Sequence, residues 1–378
     1  MTTQSFPPKF TQWLADNGVS IKDYEEQESI PRFIRVNPSH ITETFAKELN
    51  TELTPVSWLP GLRFYSLDAK MKISGSKGYE SGEIYGMDVS SGVAVHALSI
   101  DPEDHVLDLC CAPGDLQGNE DSVTGTVTGV DISKARIATC KNVLRKYKMR
   151  RFRLFDADGT TFNVHAPSRV GRWTRPTGQI AVPELDSDDD TAKGDQDTIV
   201  TIPSKRKDDT PNAPPTKKKA KVVPKVKPYL ATKLVIGDPQ IESPALLYDK
   251  VLVDAECTHD GSIAHLKKCD AVGWEKFEEN FFDPVKMDAL ETLQRGLLSN
   301  GYRLLKPGGV LVYSTCSFSR RQNEGVVEWF LKENSNATLE PIPNAEKFPL
   351  APSLDGNPTN MLRFSPSGSG TSGYLSRE

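Results

Sequence analysis

Five short apolar runs, each leading into an acidic residue or a cysteine, constrain this chain more than any other feature. His105-Val-Leu-Asp-Leu-Cys-Cys111 opens into Ala112-Pro-Gly114, residues 125–130 lead into Asp131, and residues 151–155 lead into Asp156. Lys250-Val-Leu-Val leads into Asp254, and residues 310–314, entered through the turn Lys306-Pro-Gly-Gly309, lead to Cys316. Runs of this length bounded by turn residues read as buried strands. Residues 134–147 place Ile137, Cys140, Leu144 and Tyr147 at helical spacing, with Lys141, Arg145 and Lys146 mostly elsewhere on the surface, which predicts an amphipathic crossover helix. A second helix is expected around residues 290–305. Alternation of this kind predicts the α/β class, with a doubly wound, mostly parallel sheet covered by helices on both faces. Ligands then bind beyond the carboxyl ends of the strands.

In front of the sheet, residues 33–36 read as a strand and 41–53 as a helix with Thr42 or Thr44 near its start. The expected organisation is a small α+β domain over residues 1–80, a first part of the α/β domain over 81–162, a charged insertion over 163–245, and a second part over 246–378. The insertion is rich in proline and poor in aromatic residues, and it segregates its charge. An acidic block runs from Glu184 through Asp186, Asp188, Asp189 and Asp190 to Asp197. It is followed by Lys205-Arg206-Lys207, then Lys217-Lys218-Lys219 and Lys221. Such a composition predicts disorder. The two basic clusters look like a bipartite nuclear import signal, so an import receptor engaging residues 205–221 and a nuclear or nucleolar location are expected. The net charge of −5, from 46 Lys+Arg against 51 Asp+Glu, says little about partners because these blocks cancel in the sum.

No apolar stretch approaches the ~18 residues of a membrane helix. The first residues, MTTQSFPPKF, lack the pattern of a secretory leader, and a reducing compartment is therefore expected. Six cysteines, Cys110, Cys111, Cys140, Cys257, Cys269 and Cys316, form no CxxC pair. That argues against a zinc ribbon or a disulfide framework, so the cysteines are expected to act as thiols and no metal site is expected. His259 and His265, with no matching ligand set, read as surface or loop residues.

At the strand ends, Asp108-Leu-Cys-Cys-Ala-Pro-Gly114 either lets a nucleotide or amino-acid moiety approach the backbone or is a plain tight turn. Asp131 sits where ribose hydroxyls would lie; it or Ser133 equally suits a helix N-cap. Asp156 or Asp158 would accept from an adenine amino group or simply form the turn before Gly159. Cys257 and Cys316 close two strands above this crevice. One such cysteine alone reads as a small hydrophobe; two together suit a thiolate that attacks an electrophilic carbon and a second thiol that assists proton transfer or release.

Taken together the motifs resemble the Sun-type (Fmu/Sun, RsmB/NOP class) RNA cytosine-5 methyltransferases, over nearly the whole chain apart from the insertion. Pro31-Arg-Phe-Ile-Arg-Val-Asn37 resembles the signature of the family's N-terminal RNA-binding domain. Residues 108–114 resemble its Asp-x-Cys-Ala-Ala-Pro-Gly loop, Val130-Asp-Ile-Ser133 its ribose-binding strand end, and Asp254-Ala-Glu-Cys257 its Asp-Ala-Pro-Cys motif. Leu305-Lys-Pro-Gly-Gly-Val-Leu-Val-Tyr-Ser-Thr-Cys-Ser317, with Asn323 and Glu324 after it, is similar to the nucleophile region almost letter for letter, and Thr371-Ser-Gly-Tyr-Leu-Ser376 resembles the closing strand.

The resemblance implies a Rossmann-like class I fold and transfer of a methyl group from S-adenosylmethionine to carbon 5 of a cytosine in single-stranded or loop RNA, either tRNA or rRNA. It implies Cys316 as the nucleophile and Cys257 as the group assisting release. It also implies Cys110, Cys111, Ala112, Pro113, Gly114, Asp131, Arg136, Asp158 and Asp254 as cofactor contacts. Arg150, Arg151 and Arg153 would touch phosphates or form a solvated surface. The chain departs from the pattern after Gly114, where Asp115-Leu-Gln-Gly replaces the usual Gly-Lys; a catalytically inactive RNA-binding or scaffold relative is the competing reading. Glu256 in place of proline places a like charge beside Cys257, which is expected to raise that thiol's pKa.

Overall fold

The computed structural model describes residues 6–21, 30–37, 42–111, 125–147, 149, 151–167, 228–232, 246–261, 273–351, 360–371 and 373–377. Its centre is an eight-stranded mixed sheet. In chain order the strands are β5 (His105–Asp108), β6 (Thr126–Asp131), β7 (Phe152–Asp156), β8 (Leu230–Ala231), β9 (Tyr248–Asp254), β10 (Leu305–Thr315), β11 (Met361–Phe364) and β12 (Gly373–Arg377). Their spatial order is β11-β12-β10-β9-β5-β6-β7-β8. The five central strands, β10 to β7 in that order, are parallel, and the edge strands run antiparallel. This is the doubly wound sheet expected from the alternating runs.

Because side chains alternate across a strand, each apolar run feeds two cores. Leu107, Val251, Val253, Leu311 and Tyr313 face a cluster that includes helix residues Leu297 and Leu298; their neighbours Val106, Leu252 and Val312 face the opposite one, with Val89, Val93 and Ala97. Three helices carry much of this cover: α4 (Val89–Leu98), α7 (Pro284–Leu304) and α8 (Glu324–Glu333). The crossover helix α5 (Lys134–Lys146) buries Ile137, Cys140 and Leu144, as its spacing predicts, and Ser133 caps it by accepting from the Arg136 amide. α7 begins six residues before the expected start, at a Pro N1 position capped by Asp283. It passes directly into β10. The expected turn over residues 306–309 is instead a register shift within one long strand, where Gly308 takes φ +75°.

A four-stranded antiparallel sheet precedes this body, in the order β2 (Thr54–Pro55), β3 (Phe64–Leu67), β1 (Arg32–Val36), β4 (Ile84–Gly86). Helix α2 (Thr42–Leu49) falls within the expected 41–53 and ends where Asn50 takes a left-handed φ of +49°; a one-turn helix α3 (Lys77–Glu80) precedes β4. The expected boundary at residue 80 is corrected, since β4 pairs with β1 and belongs to this sheet. Phe33 and Phe64 join the core of the larger sheet. The close approach depends on Gly92 in α4, where a Cβ would lie 2.4 Å from the Phe64 ring.

A helix over residues 8–16, α1 (Pro8–Asp16), lies ahead of the first element expected from the sequence. It joins α6 (Trp274–Phe281) in an aromatic cluster around Phe10, Trp13 and Phe281. The insertion boundaries 163–245 are also corrected at both ends. Ala166 bridges to Leu246, and Leu230, buried against Phe152 and Leu154, extends the sheet beyond β7. The rest of the insertion, with both charge blocks, lies outside the described residues.

One buried ion pair joins the two ends of this second half. Arg363 on β11 donates through Nε and Nη2 to the Glu324 carboxylate at 2.6 Å each, and through Nη1 to Phe318 O at 2.9 Å. Glu324→Ala is expected to cost about 3–5 kcal/mol in urea unfolding, because it leaves a buried guanidinium uncompensated. The double variant Glu324→Leu/Arg363→Met should lose less than this single one.

Candidate active site

The order of strand addition reverses at β5. From it the chain adds β6 and β7 on one side, then returns to add β9 and β10 on the other. The crevice at the carboxyl ends of β5 and β9 is the position such sheets use for ligands. Asp108 and Asp254 close these two strands. Asp108 accepts from the Cys110 amide at 3.2 Å, and Asp254 accepts from Ser314 Oγ at 2.8 Å. Burial pushes both carboxyls above the usual range, Asp108 furthest because the Asp254 charge adds to it.

On the β6 side, Asp131 is buried and both of its oxygens are engaged. Oδ1 accepts from the Ser133 amide at 2.7 Å, and Oδ2 lies 3.0 Å from Arg136 Nε. Arg136 also reaches Cys110 O at 3.4 Å, which ties the β5 exit to α5. Asp131 thus sits beside the turn that leads into the helix, and Ser133 supplies the cap itself. Ile132, 71 % exposed, leaves an apolar side chain open next to this carboxylate. Cys111 is buried against Cys140, whose thiol donates to Cys111 O at 3.2 Å, so it serves packing at this position. Asp158 Oδ1 accepts from Thr160 N and Oγ1 at 2.8 and 2.7 Å, which is the turn reading; Asp156 pairs with Lys134 at 3.7 Å. Arg153 is committed to the sheet through Thr128 Oγ1 and the Tyr248 hydroxyl, which is neither of its expected uses. Ala112, Pro113, Gly114, Arg150, His265 and Cys269 lie outside the described residues.

The two strand-end cysteines meet. Cys257 Sγ and Cys316 Sγ are 3.2 Å apart, and His259 Nδ1 lies 3.0 Å from Cys316 Sγ and 3.8 Å from Cys257 Sγ. His259 is an exposed loop residue, as expected, yet its ring belongs to the thiol pair; its backbone takes φ +55°, a left-handed conformation uncommon outside glycine. Sharing one proton separates the two thiols. Hydrogen bonding from Cys316 brings Cys257 down to about 6, and the same bond, with burial and the charges of Cys257, Asp254 and Asp260, raises Cys316. The rise expected at Cys257 from Glu256 is therefore overturned: Glu256 is exposed, and the hydrogen bonds from Cys316 and His259 outweigh it. A thiolate adjacent to a second thiol and an imidazole can attack carbon, return a proton, or bind a soft cation.

A polar network that the apolar pattern could not reveal holds the pair. Asp260, fully buried, accepts from Thr258 Oγ1, from Ser317 Oγ at 2.7 Å and from the Phe318 amide at 2.7 Å. Gln322 accepts from the Thr258 amide at 3.1 Å and donates to its hydroxyl at 2.8 Å, while Asn323 accepts from Thr315 Oγ1 and donates to Ser317 O. The Gly261 amide donates to Cys316 O at 2.9 Å, at a contact where a Cβ would lie 2.5 Å from that oxygen. Their signal in the sequence is weak: small and polar residues clustered next to each cysteine, without periodicity. Asp260→Ala strands several buried donors and is expected to cost about 3 kcal/mol or more in thermal unfolding. It should also change the alkylation rate of Cys316; an unchanged rate would mean that Asp260 does not position the thiol.

Residues 228–376 match the sequence model of the 16S rRNA methyltransferase RsmB/F family. Ribosomal RNA small subunit methyltransferase F of Escherichia coli O9:H4 (strain HS) is 36% identical over 106 residues, which are 28% of this chain and 20% of that protein. Its counterpart in Salmonella arizonae is 37% identical over 105 residues, with the same coverage. The match thus spans about a fifth of the length of these curated relatives. Among solved structures, a methyltransferase homolog protein from Pyrococcus horikoshii superposes with a TM-score of 0.55 at 20% identity, covering 98% of this chain and 99% of that one. NSun6 from Pyrococcus horikoshii, solved with SFG, gives 0.57 at 14% identity, covering 98% and 97%. At these identities the structural likeness speaks for the fold, and it is a Rossmann-like methyltransferase fold. The sequence match includes Cys257, Cys316 and the network that joins them, so the likeness to the 16S rRNA methyltransferase RsmB/F family extends over residues 228–376 and takes in the candidate site.

Proposed function

We propose that this chain is an S-adenosylmethionine-dependent RNA methyltransferase that modifies carbon 5 of a cytosine. The observation that carries the reading is the meeting of Cys257 and Cys316, 3.2 Å apart, at adjacent parallel strand ends beside the switch-point crevice. An unactivated aromatic carbon resists methylation. Transient addition of a thiolate to carbon 6 makes carbon 5 a nucleophile, and this step needs an ionisable cysteine. Cys316 is the adding thiol by its place after β10. His259 Nδ1, at 3.0 Å, is placed to take its proton, and Cys257 is placed to assist the elimination that frees the product.

The donor set fits the cofactor. Asp131 uses two of the four acceptor positions of its carboxylate, leaving lone pairs for ribose hydroxyls, and exposed Ile132 offers an apolar face to an adenine ring. When bound, the cofactor supplies an electrophilic methyl group. Asp254, held by Ser314 and kept above the usual carboxylate range by burial, can carry a proton toward a base edge. A target cytosine has to leave its stack to reach this crevice, so single-stranded or loop RNA is the substrate class. The names of the curated relatives support ribosomal RNA of the small subunit.

Calorimetry should detect S-adenosylmethionine binding that is lost in Asp131→Ala, and labelled methyl transfer to RNA should vanish in Cys316→Ala. Cys257→Ala should instead accumulate a covalent RNA complex that survives a denaturing gel. Methylation that persists in Cys316→Ala would refute the assignment, and cofactor-free RNA binding without transfer would leave the inactive scaffold. The basic clusters within residues 205–221 support nuclear import. A fluorescent fusion lacking 205–221 should stay out of the nucleus, and nuclear entry of that fusion would disprove the signal.

A further inference from the structure

Cys257 Sγ, His259 Nδ1 and Cys316 Sγ all lie within 4.8 Å of one another. A tetrahedral zinc-type centre, with metal–sulfur bonds of about 2.3 Å and metal–nitrogen bonds of about 2.0–2.1 Å, sets its sulfur–sulfur edge near 3.8 Å and its sulfur–nitrogen edges near 3.6 Å. The corresponding separations here are 3.2, 3.0 and 3.8 Å. Each is within about 0.6 Å of the ideal edge, so three vertices of the tetrahedron are already in place. Two sulfurs and one imidazole, with the fourth position open among the described residues, form a donor set that soft or borderline cations prefer over magnesium or calcium. Exposed His259 and half-buried Cys316 leave the group reachable from solvent, and the Asp254 and Asp260 carboxyls bear on the Cys316 sulfur.

We propose that Cys257, His259 and Cys316 form a binding site for a thiophilic divalent cation of the zinc class, and that its occupancy is incompatible with nucleophilic use of the thiols. On binding, the one proton shared by the two sulfurs, and any proton on His259 Nδ1, pass to the buffer, two metal–sulfur bonds and one metal–nitrogen bond form, and the ion gives up hydration waters. No atom changes oxidation state. A sulfur whose lone pair is held by the cation cannot add to carbon, so the ion acts as a reversible block on whatever chemistry the pair performs. The proposal goes beyond the methyltransferase reading and stands without it.

The test is a cobalt(II) titration of the full reduced chain under anaerobic conditions. One equivalent should give thiolate-to-cobalt charge-transfer bands and the intense visible bands of tetrahedral cobalt, bleached by zinc and unaffected by excess magnesium. Cys257→Ser, Cys316→Ser and His259→Asn should each weaken binding by more than about 100-fold, beyond the 10–100-fold typical of losing an outer-shell partner. Cys140→Ser, away from the cluster, should bind like the parent chain. Weak octahedral bands, or full-strength tetrahedral bands in Cys257→Ser, would overturn the proposal.

Protection mapping on the parent chain covers the case of a variant that does not fold. Zinc should shield Cys257 and Cys316 from maleimide and release them on chelation; equal labelling with and without zinc refutes the site. Zinc binding in a chain that never methylates RNA would remove the methyltransferase reading alone, and methylation indifferent to saturating zinc would remove the block.

Discussion

The Asp260 carboxylate is the interaction on which the site depends. It sits in the loop after β9, yet two of its acceptor contacts reach Ser317 and Phe318 in the loop after β10, so one buried group fastens two strand exits to each other. Parallel strands align their carboxyl ends without specifying where the following loops travel. Here a charge-bearing acceptor in the interior, satisfied by several donors, sets that path, because any displacement would leave buried polar groups unpaired. Gln322 adds two bonds to Thr258, and the Gly261 amide adds one to Cys316 O. The 3.2 Å separation of the cysteine sulfurs is a consequence of these bonds.

Electrostatics then distinguish the two sides of the crevice. Asp108, Asp254 and Asp260 are all pushed upward by burial, and the last two bear on a thiol pair whose single shared proton gives one sulfur a low pKa and the other a high one. On the β6 side, Asp131 has a partner in Arg136. Carboxyls raised by burial therefore lie beside the sulfurs, while an ion-paired carboxylate lies on the other side of the crevice. His259 extends the thiol side toward solvent, giving protons, or a cation that replaces them, a route to the sulfurs.

Much of the architecture was legible because burial and periodicity determine it locally. Ile137, Cys140 and Leu144 predicted a helix and are its buried face. The runs ending at Asp108, Asp131 and Asp254 predicted strands, and each is one. Where the reading failed, a long-range pairing had overridden a local signal. Lys306-Pro-Gly-Gly309 looks like a turn, but β9 pairs with the chain at both Leu305 and Val310 and keeps it in the sheet. Leu230 lies in a span of biased composition and nonetheless packs on Phe152 and Leu154. Helix α1 leaves little local signal because its apolar residues face aromatic partners some 270 positions away, around Phe281.

The sequence by itself determined the class of fold and the presence of two cysteines and several acids at strand ends, since apolar alternation and residue type are local properties. Only the tertiary structure decided that His259 stands beside the paired sulfurs of Cys257 and Cys316, that Glu256 is exposed, and that among the described residues Asp131 is ion-paired while Asp254 is not. The reason is physical. Cys257 and Cys316 are 59 positions apart, and what each sulfur experiences comes from hydrogen bonds and charges delivered by other loops. Spacing along the chain places a residue at a strand end, and the packing of neighbouring strands supplies the chemistry it meets there.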